Sequence, residues 1–183
     1  MNISRNFKTS LLVTALLSFS VAQAATLNKA EYKAEKTRIS ADYKVDKKAC
    51  DAFKDNAKDV CVEEAKAKEN IARAELEYGY TGKATDQTKV LEAKAKSAYA
   101  IAKEKCDDQS GNAKDVCVKE AKAVEVKALA DAKLGKQIGE AKKEATDDKM
   151  DANYKVAIEK CDALAGDAKT ACVTTADAKF GKK

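Results

Sequence analysis

The chain has 183 residues, of which 35 are Lys or Arg and 30 are Asp or Glu, and it contains no histidine, proline or tryptophan. Without histidine there is no imidazole acid–base catalysis, no Ser-His or Cys-His nucleophile and no histidine metal site. A formal net charge of +5 is too close to balance for a nucleic-acid binder, which concentrates a clear basic excess on one face.

The chain opens MNISRNFKTSLLVTALLSFSVAQAAT, with Arg5 and Lys8 ahead of an apolar run from Leu11 to Val21 and Ala22-Gln23-Ala24 at its end. This is the pattern of a cleavable secretory signal over residues 1–24, with the cut before Ala25 and the mature chain exported. The apolar run is too short to span a bilayer with margin. In the 159 residues from Ala25 onward, Ala, Glu, Lys, Leu and Arg supply 86, the composition of long helices. Leu, Ile, Val and Phe number only 23 there, so the core must be thin. Thinly cored exported domains commonly rely on disulfides, and all six cysteines lie in this region.

Those cysteines reveal an internal repeat. Cys50, Cys106 and Cys161 follow one another at 56 and 55 residues, and each has a second cysteine eleven positions later, at Cys61, Cys117 and Cys172. A tyrosine precedes each first cysteine by seven positions, at Tyr43, Tyr99 and Tyr154, and Ala-Lys-x-x-Cys-Val leads out of each unit. Fixed-period similarity of this kind marks repeated supersecondary units. Glycine interrupts the helical composition at GYTGKATDQ (79–87) and GKQIG (135–139), which gives repeats over 25–82, 83–138 and 139–183.

Six positions after each first cysteine stand Asn56, Asn112 and Asp167, good N-cap residue types for a following helix. Asp59 and Asp115 would then fall at the third helical position, where a carboxylate favours the positive helix end. Gly111 and Gly166 come directly before the cap, where a left-handed residue commonly stops a helix; the first repeat has Asp55 there instead. A straight helix would separate the two cysteines of a unit by about 16 Å, far beyond the roughly 7 Å a disulfide tolerates. A chain reversal at the Gly-Asn corner brings them together. The expected bonds, among the fifteen pairings six cysteines allow, are therefore Cys50–Cys61, Cys106–Cys117 and Cys161–Cys172. The fold class that follows is all-α: three tandem disulfide-stapled helical hairpins in an elongated or loosely bundled array. Two turns ahead of the cysteine on the same face, the tyrosines are expected to stack beside the disulfide, and Cys117, Ala121, Val124 and Ala128 to form an inward stripe.

No catalytic, cofactor-binding or metal-binding residue is assigned. Ten residues between cysteines, with no histidine and no close cysteine pair, is not a zinc spacing, and there is no C-x-x-C redox motif. GYTGKAT fails as a phosphate loop because Glu77 stands where the first glycine is required and Ala84 follows the lysine.

YKVAIEKCDALAGDAKTACV, with ISADYK upstream and AKFGKK at the end, resembles a group of small exported Ala/Lys-rich paired-cysteine repeat proteins of Gram-negative bacteria, often labelled cell-envelope biogenesis or TolA-like. The resemblance covers nearly all of the mature region and implies residence in the envelope, with the exported chain in the periplasm; it carries no activity to any residue. The expected function is non-enzymatic, that of a structural or stress-related interaction factor of the envelope. An alternative is a desiccation or osmotic protectant of the Ala-Lys-Glu-rich helical type. An envelope protein or a membrane surface is the expected partner, with no nucleic acid and no small-molecule substrate. Intact-mass analysis of the exported protein should give a chain starting at or within a residue of Ala25; retention of Met1 would contradict the export assignment.

Overall fold

Without proline, and rich in alanine and lysine, the sequence offers few places for a helix to stop. In the computed structural model, which describes residues 27–182, those places are the cysteine corners and one glycine. The helices are α1 (Lys29–Ala49), continued by a short 3-10 turn (Cys50–Ala52), α2 (Asp55–Thr81), α3 (Ala84–Cys106), α4 (Gly111–Asp162) and α5 (Gly166–Phe180), and there is no strand among the described residues. The signal segment expected over residues 1–24 and its cut before Ala25 lie outside the described residues.

The helix starts are set by backbone as much as by caps. Only α1 carries a side-chain cap: Asn28 accepts from the Ala30 and Glu31 N–H groups, and Glu31 accepts from the Asn28 N–H in return. At the three cysteine corners the expected caps are displaced. The residue five after each first cysteine adopts positive φ, at Asp55 (48°), Gly111 (57°) and Gly166 (56°), and it begins the next helix rather than ending the previous one. The cap positions are therefore Lys54, Ser110 and Ala165, all extended and none making a side-chain cap bond. The Lys54 carbonyl already accepts from the Lys58 N–H. Asn56, Asn112 and Asp167 thus sit second in their helices, not at the cap, and Asp59 and Asp115 lie a turn in. The side-chain amide nitrogen of Asn56 is buried without a partner.

Each helix packs only on its neighbours in the chain, α1 on α2, α2 on α3, α3 on α4 and α4 on α5. Paired side chains show that every neighbour is antiparallel. Lys68 reaches Asp46 and Arg73 reaches Ser40 between α2 and α1, at 2.7 and 2.8 Å. Lys94 reaches Glu75 and Lys105 reaches Glu64 between α3 and α2, at 2.7 and 3.0 Å. Tyr154 donates to Asp177 between α4 and α5 at 2.8 Å. The outcome is an open meander of helices instead of a closed bundle, and three of its turns are stapled.

Two glycine segments behave differently. Gly82, at φ 63°, ends α2, and its N–H bonds the Tyr78 carbonyl at 2.8 Å. The buried Asp86 carboxylate locks this turn by accepting from the Thr81 hydroxyl (2.5 Å) and from Lys89 (2.8 Å), and the bonds from Lys89 and then Thr81 hold its pKa below the ordinary 3.8. GKQIG, expected to divide repeats 83–138 and 139–183, does not interrupt the chain, because α4 runs through it for 52 residues. Counted from the second cysteine, Thr81, Gly82 and Asp86 correspond to Gln137, Ile138 and Lys142. None of these can supply the left-handed residue or the carboxylate lock. Gly135 and Gly139 keep negative φ and cost the helix only about 1 kcal/mol each.

Backbone alone decides the corner position. Nothing lies within 4 Å of a Cβ built on Gly111, so Gly111→Ala should destabilise by about 1–2 kcal/mol through the left-handed backbone. Asp55→Gly should change stability in the opposite direction by a smaller amount, since Asp tolerates that region better. Thermal unfolding of the two variants checks this; equal shifts of the same sign would be inconsistent with the corner geometry.

Candidate functional site

Each corner closes as the cysteine spacing predicts. Cys50–Cys61, Cys106–Cys117 and Cys161–Cys172 are bonded, with Cα atoms 5.6, 5.7 and 5.6 Å apart, and no described cysteine is free. The first cysteine of each pair is the most deeply buried residue of its corner, at 1, 0 and 1% exposure, while the second is half-buried. The sulfur bridge therefore occupies the place a larger apolar side chain would fill in a better-cored hairpin.

A feature of the corners escaped the reading of the sequence. The residue after each first cysteine is aspartate, and it pairs with the lysine seven positions on: Asp51 with Lys58 at 2.9 Å, Asp107 with Lys114 at 3.0 Å, and Asp162 with Lys169 at 2.8 Å. Cys-Asp and Ala-Lys recur in all three repeats, so the signal was present. In the first corner the bond and charge of Lys58 hold the Asp51 pKa below its ordinary value, and Lys58 is raised in turn. These pairs are well exposed and contribute little to stability; what they add is orientation across the bend.

The tyrosines do not lie on the sulfurs, because seven residues of helix place them about 10 Å along the axis from the bridge. They reach across to the residue five beyond the second cysteine. Tyr154 donates to Asp177 and packs edge-on to Phe180, with ring centroids 6.0 Å apart. Lys122 sits 4.7 Å above the Tyr99 ring. In the first repeat the matching residue is Lys66, whose pKa is raised chiefly by its bond to Glu63, with Tyr43 adding a smaller electrostatic contribution. The expected inward stripe also shifts by one residue. Val124 is exposed at 65%, while Glu125 is buried and bonded to Lys122 at 2.6 Å. The stripe on α4 continues from Cys117 and Ala121 through Glu125 and Ala128 to Ala132, a spacing that stays closer to the α3-facing side.

The first and third corners differ in the groove beside the bridge. In the first repeat this groove is about 290 Å³ and is crossed by the Asp46–Lys68 ion pair. In the third, Ala157 and Thr175 stand where Asp46 and Glu64 stand in the first. The groove there opens to about 830 Å³ between Val156, Ala157, Ala171, Ala176 and Phe180, with Lys160 and Lys179 at its sides. It is a shallow, largely apolar surface without convergent acid–base groups. Among the described residues no group of three or more His, Cys, Asp or Glu side chains is placed to hold a metal, and no helix is long and apolar enough to cross a membrane.

No protein-family model, curated protein or solved structure matches the chain. The closed disulfides are compatible with an exported protein.

Closing a loop of this length stabilises each hairpin by somewhat under ~3 kcal/mol on the chain-entropy model. The third hairpin, where α5 has only α4 to pack on, depends on its bridge most. On reduction, amide exchange across 154–180 should accelerate more than across α2 and α3. Uniform acceleration would show that the bridges support one cooperative unit instead.

Proposed function

We propose that the chain is a non-enzymatic helical protein of the periplasm, acting through its surfaces as a structural or stress-related interaction factor of the cell envelope. The observation that carries this reading is the distribution of large apolar side chains. Among the described residues eleven are exposed, Val45, Phe53, Val124, Val126 and Val156 among them, whereas of the large aliphatics described only Ile39, Leu76 and Val90 are buried. A meander one helix thick has two open faces, and apolar side chains left on them are available to a partner. The export signal, the three bridges and the resemblance to exported paired-cysteine repeat proteins support the envelope as the setting, with an envelope protein or a membrane surface as the partner.

The oxidised chain immobilised in a periplasmic extract should retain a discrete envelope partner, and Val124→Asp with Val126→Asp should weaken that retention at least several-fold without loss of helix. Retention unaffected by these changes, or a turnover activity abolished by a single carboxylate substitution, would count against the proposal.

One observation favours a protectant role instead: residues 133–153 are all exposed, and among the described residues only Asp151 pairs outside α4, with Lys182 at 2.7 Å. Circular dichroism separates the readings. A cooperative melt of the oxidised chain supports a folded interaction module, and a gradual, featureless loss of helix supports the protectant.

A further inference from the structure

The exposed span of α4 carries its charge in two blocks. Lys133, Lys136, Lys142 and Lys143 against Glu140 leave residues 133–143 at +3, and Glu144, Asp147, Asp148 and Asp151 against Lys149 leave residues 144–153 at −3. Every residue of both blocks is exposed. Lys136–Glu140 (3.7 Å) and Lys143–Asp147 (2.7 Å) form ion pairs along the helix and Asp151 pairs with Lys182 (2.7 Å), so that among the described residues Lys133, Lys142, Glu144, Asp148 and Lys149 form none. The 21 residues extend about 31 Å and include Gly135 and Gly139. Two glycines and full exposure leave this stretch with little to hold it beyond its own helical bonds.

We propose that this span pairs antiparallel with the same span of a second copy of the chain. The antiparallel arrangement lays each basic half along the other copy's acidic half, whereas a parallel one would set like charges side by side. It closes on itself about a two-fold axis. The steric pattern fits the charge pattern. Leu134, Ile138, Ala141, Ala145, Asp148 and Ala152 follow at alternating spacings of four and three, the seam of a two-stranded coiled coil. Leu134 and Ile138 are 54% and 46% exposed. With the two-fold axis at Lys143, Leu134 meets Ala152, Ile138 meets Asp148 and Ala141 meets Ala145. The small residues at the centre let the helices approach closely. Asp148, the polar member of the seam, serves register at some cost in stability. A seam with so few large side chains makes a weak dimer that draws on charge and responds to salt.

The pairing rests on the reading of the chain as a surface-acting protein and names one partner for one of its surfaces. Sedimentation equilibrium of the full oxidised exported chain should show a monomer–dimer equilibrium whose dissociation constant rises by about an order of magnitude from low to moderate salt. Changing Lys133, Lys136, Lys142 and Lys143 together to Glu makes both halves acidic and should give a monomer. Changing Glu144, Asp147, Asp148 and Asp151 together to Lys should do the same in the basic sense. An equimolar mixture of the two variants should restore the dimer, and circular dichroism of each variant verifies that the helices are kept. A wild-type chain that stays monomeric at low salt, a dimer that survives charge reversal, or a mixture that fails to associate would overturn the pairing. A monomer that still retains an envelope partner would remove the pairing alone and leave the surface-acting reading in place.

Discussion

A sulfur–sulfur bond at each corner fixes two helices at a Cα separation of 5.6–5.7 Å, and it does so where the chain has almost nothing else to hold them. Alanine and lysine make stable helices but poor interiors, since alanine buries a single methyl and lysine keeps its charge in water. In a hairpin built from such helices, the loss of backbone freedom must be offset by something other than apolar area. The bridge lowers the entropy of the unfolded chain instead of adding to the core. The near-complete burial of Cys50, Cys106 and Cys161 shows that the sulfurs also serve as the interior at those points.

With the corners fixed, the remaining packing can be spare. Tyr32 stacks on Tyr80 with ring centroids 4.5 Å apart and donates to Glu77 at 2.7 Å, joining the start of α1 to the end of α2. Its hydroxyl pKa is raised, first by that bond and then by burial. Elsewhere the helices meet through scattered ion pairs, the Tyr99 and Tyr154 contacts, and alanine faces such as Ala65, Ala67 and Ala95. Small residues allow close helix approach but bury little area, so the meander never needs to close into a bundle. Both faces stay open and charged.

Much of this was legible in the sequence because it depends on local signals. Cysteine spacing with an intervening glycine specifies a reversal, and a reversal specifies the bond, so all three pairings and the all-α class could be read from the chain. The positive φ of Gly111 and Gly166 was readable for the same reason. Cap identity was not, because a left-handed residue can close one helix or open the next with the same residue types around it, and the hydrogen-bond register that decides between them is a matter of one residue. The tyrosine contacts and the buried Glu125 were missed because they belong to the second arm of each hairpin. Only the relative rotation of two helices reveals which position, Val124 or Glu125, faces inward. The candidate surface was legible only in composition: a scarcity of apolar residues signals a thin core, but not that most of the large ones lie outside it.

The difference between the two joints that link the repeats shows how little sequence separates two architectures. At the first joint, Thr81, Gly82 and Asp86 combine a left-handed residue with a buried carboxylate, and α3 folds back along α2. At the matching positions after the second repeat, Ile138 replaces the glycine and Lys142 the aspartate. A β-branched residue strongly disfavours positive φ, so the helix continues. Because it continues, the third hairpin is not returned onto the second, and the face that α2 and α3 bury against each other has no counterpart there. The uncovered length of α4 follows from that lost turn, while the 830 Å³ groove beside Cys161–Cys172 follows from Ala157 and Thr175 standing where Asp46 and Glu64 stand in the first repeat. Repeats that pack in series within one chain become, after one lost turn, a module carried at the end of a helix with its surfaces open.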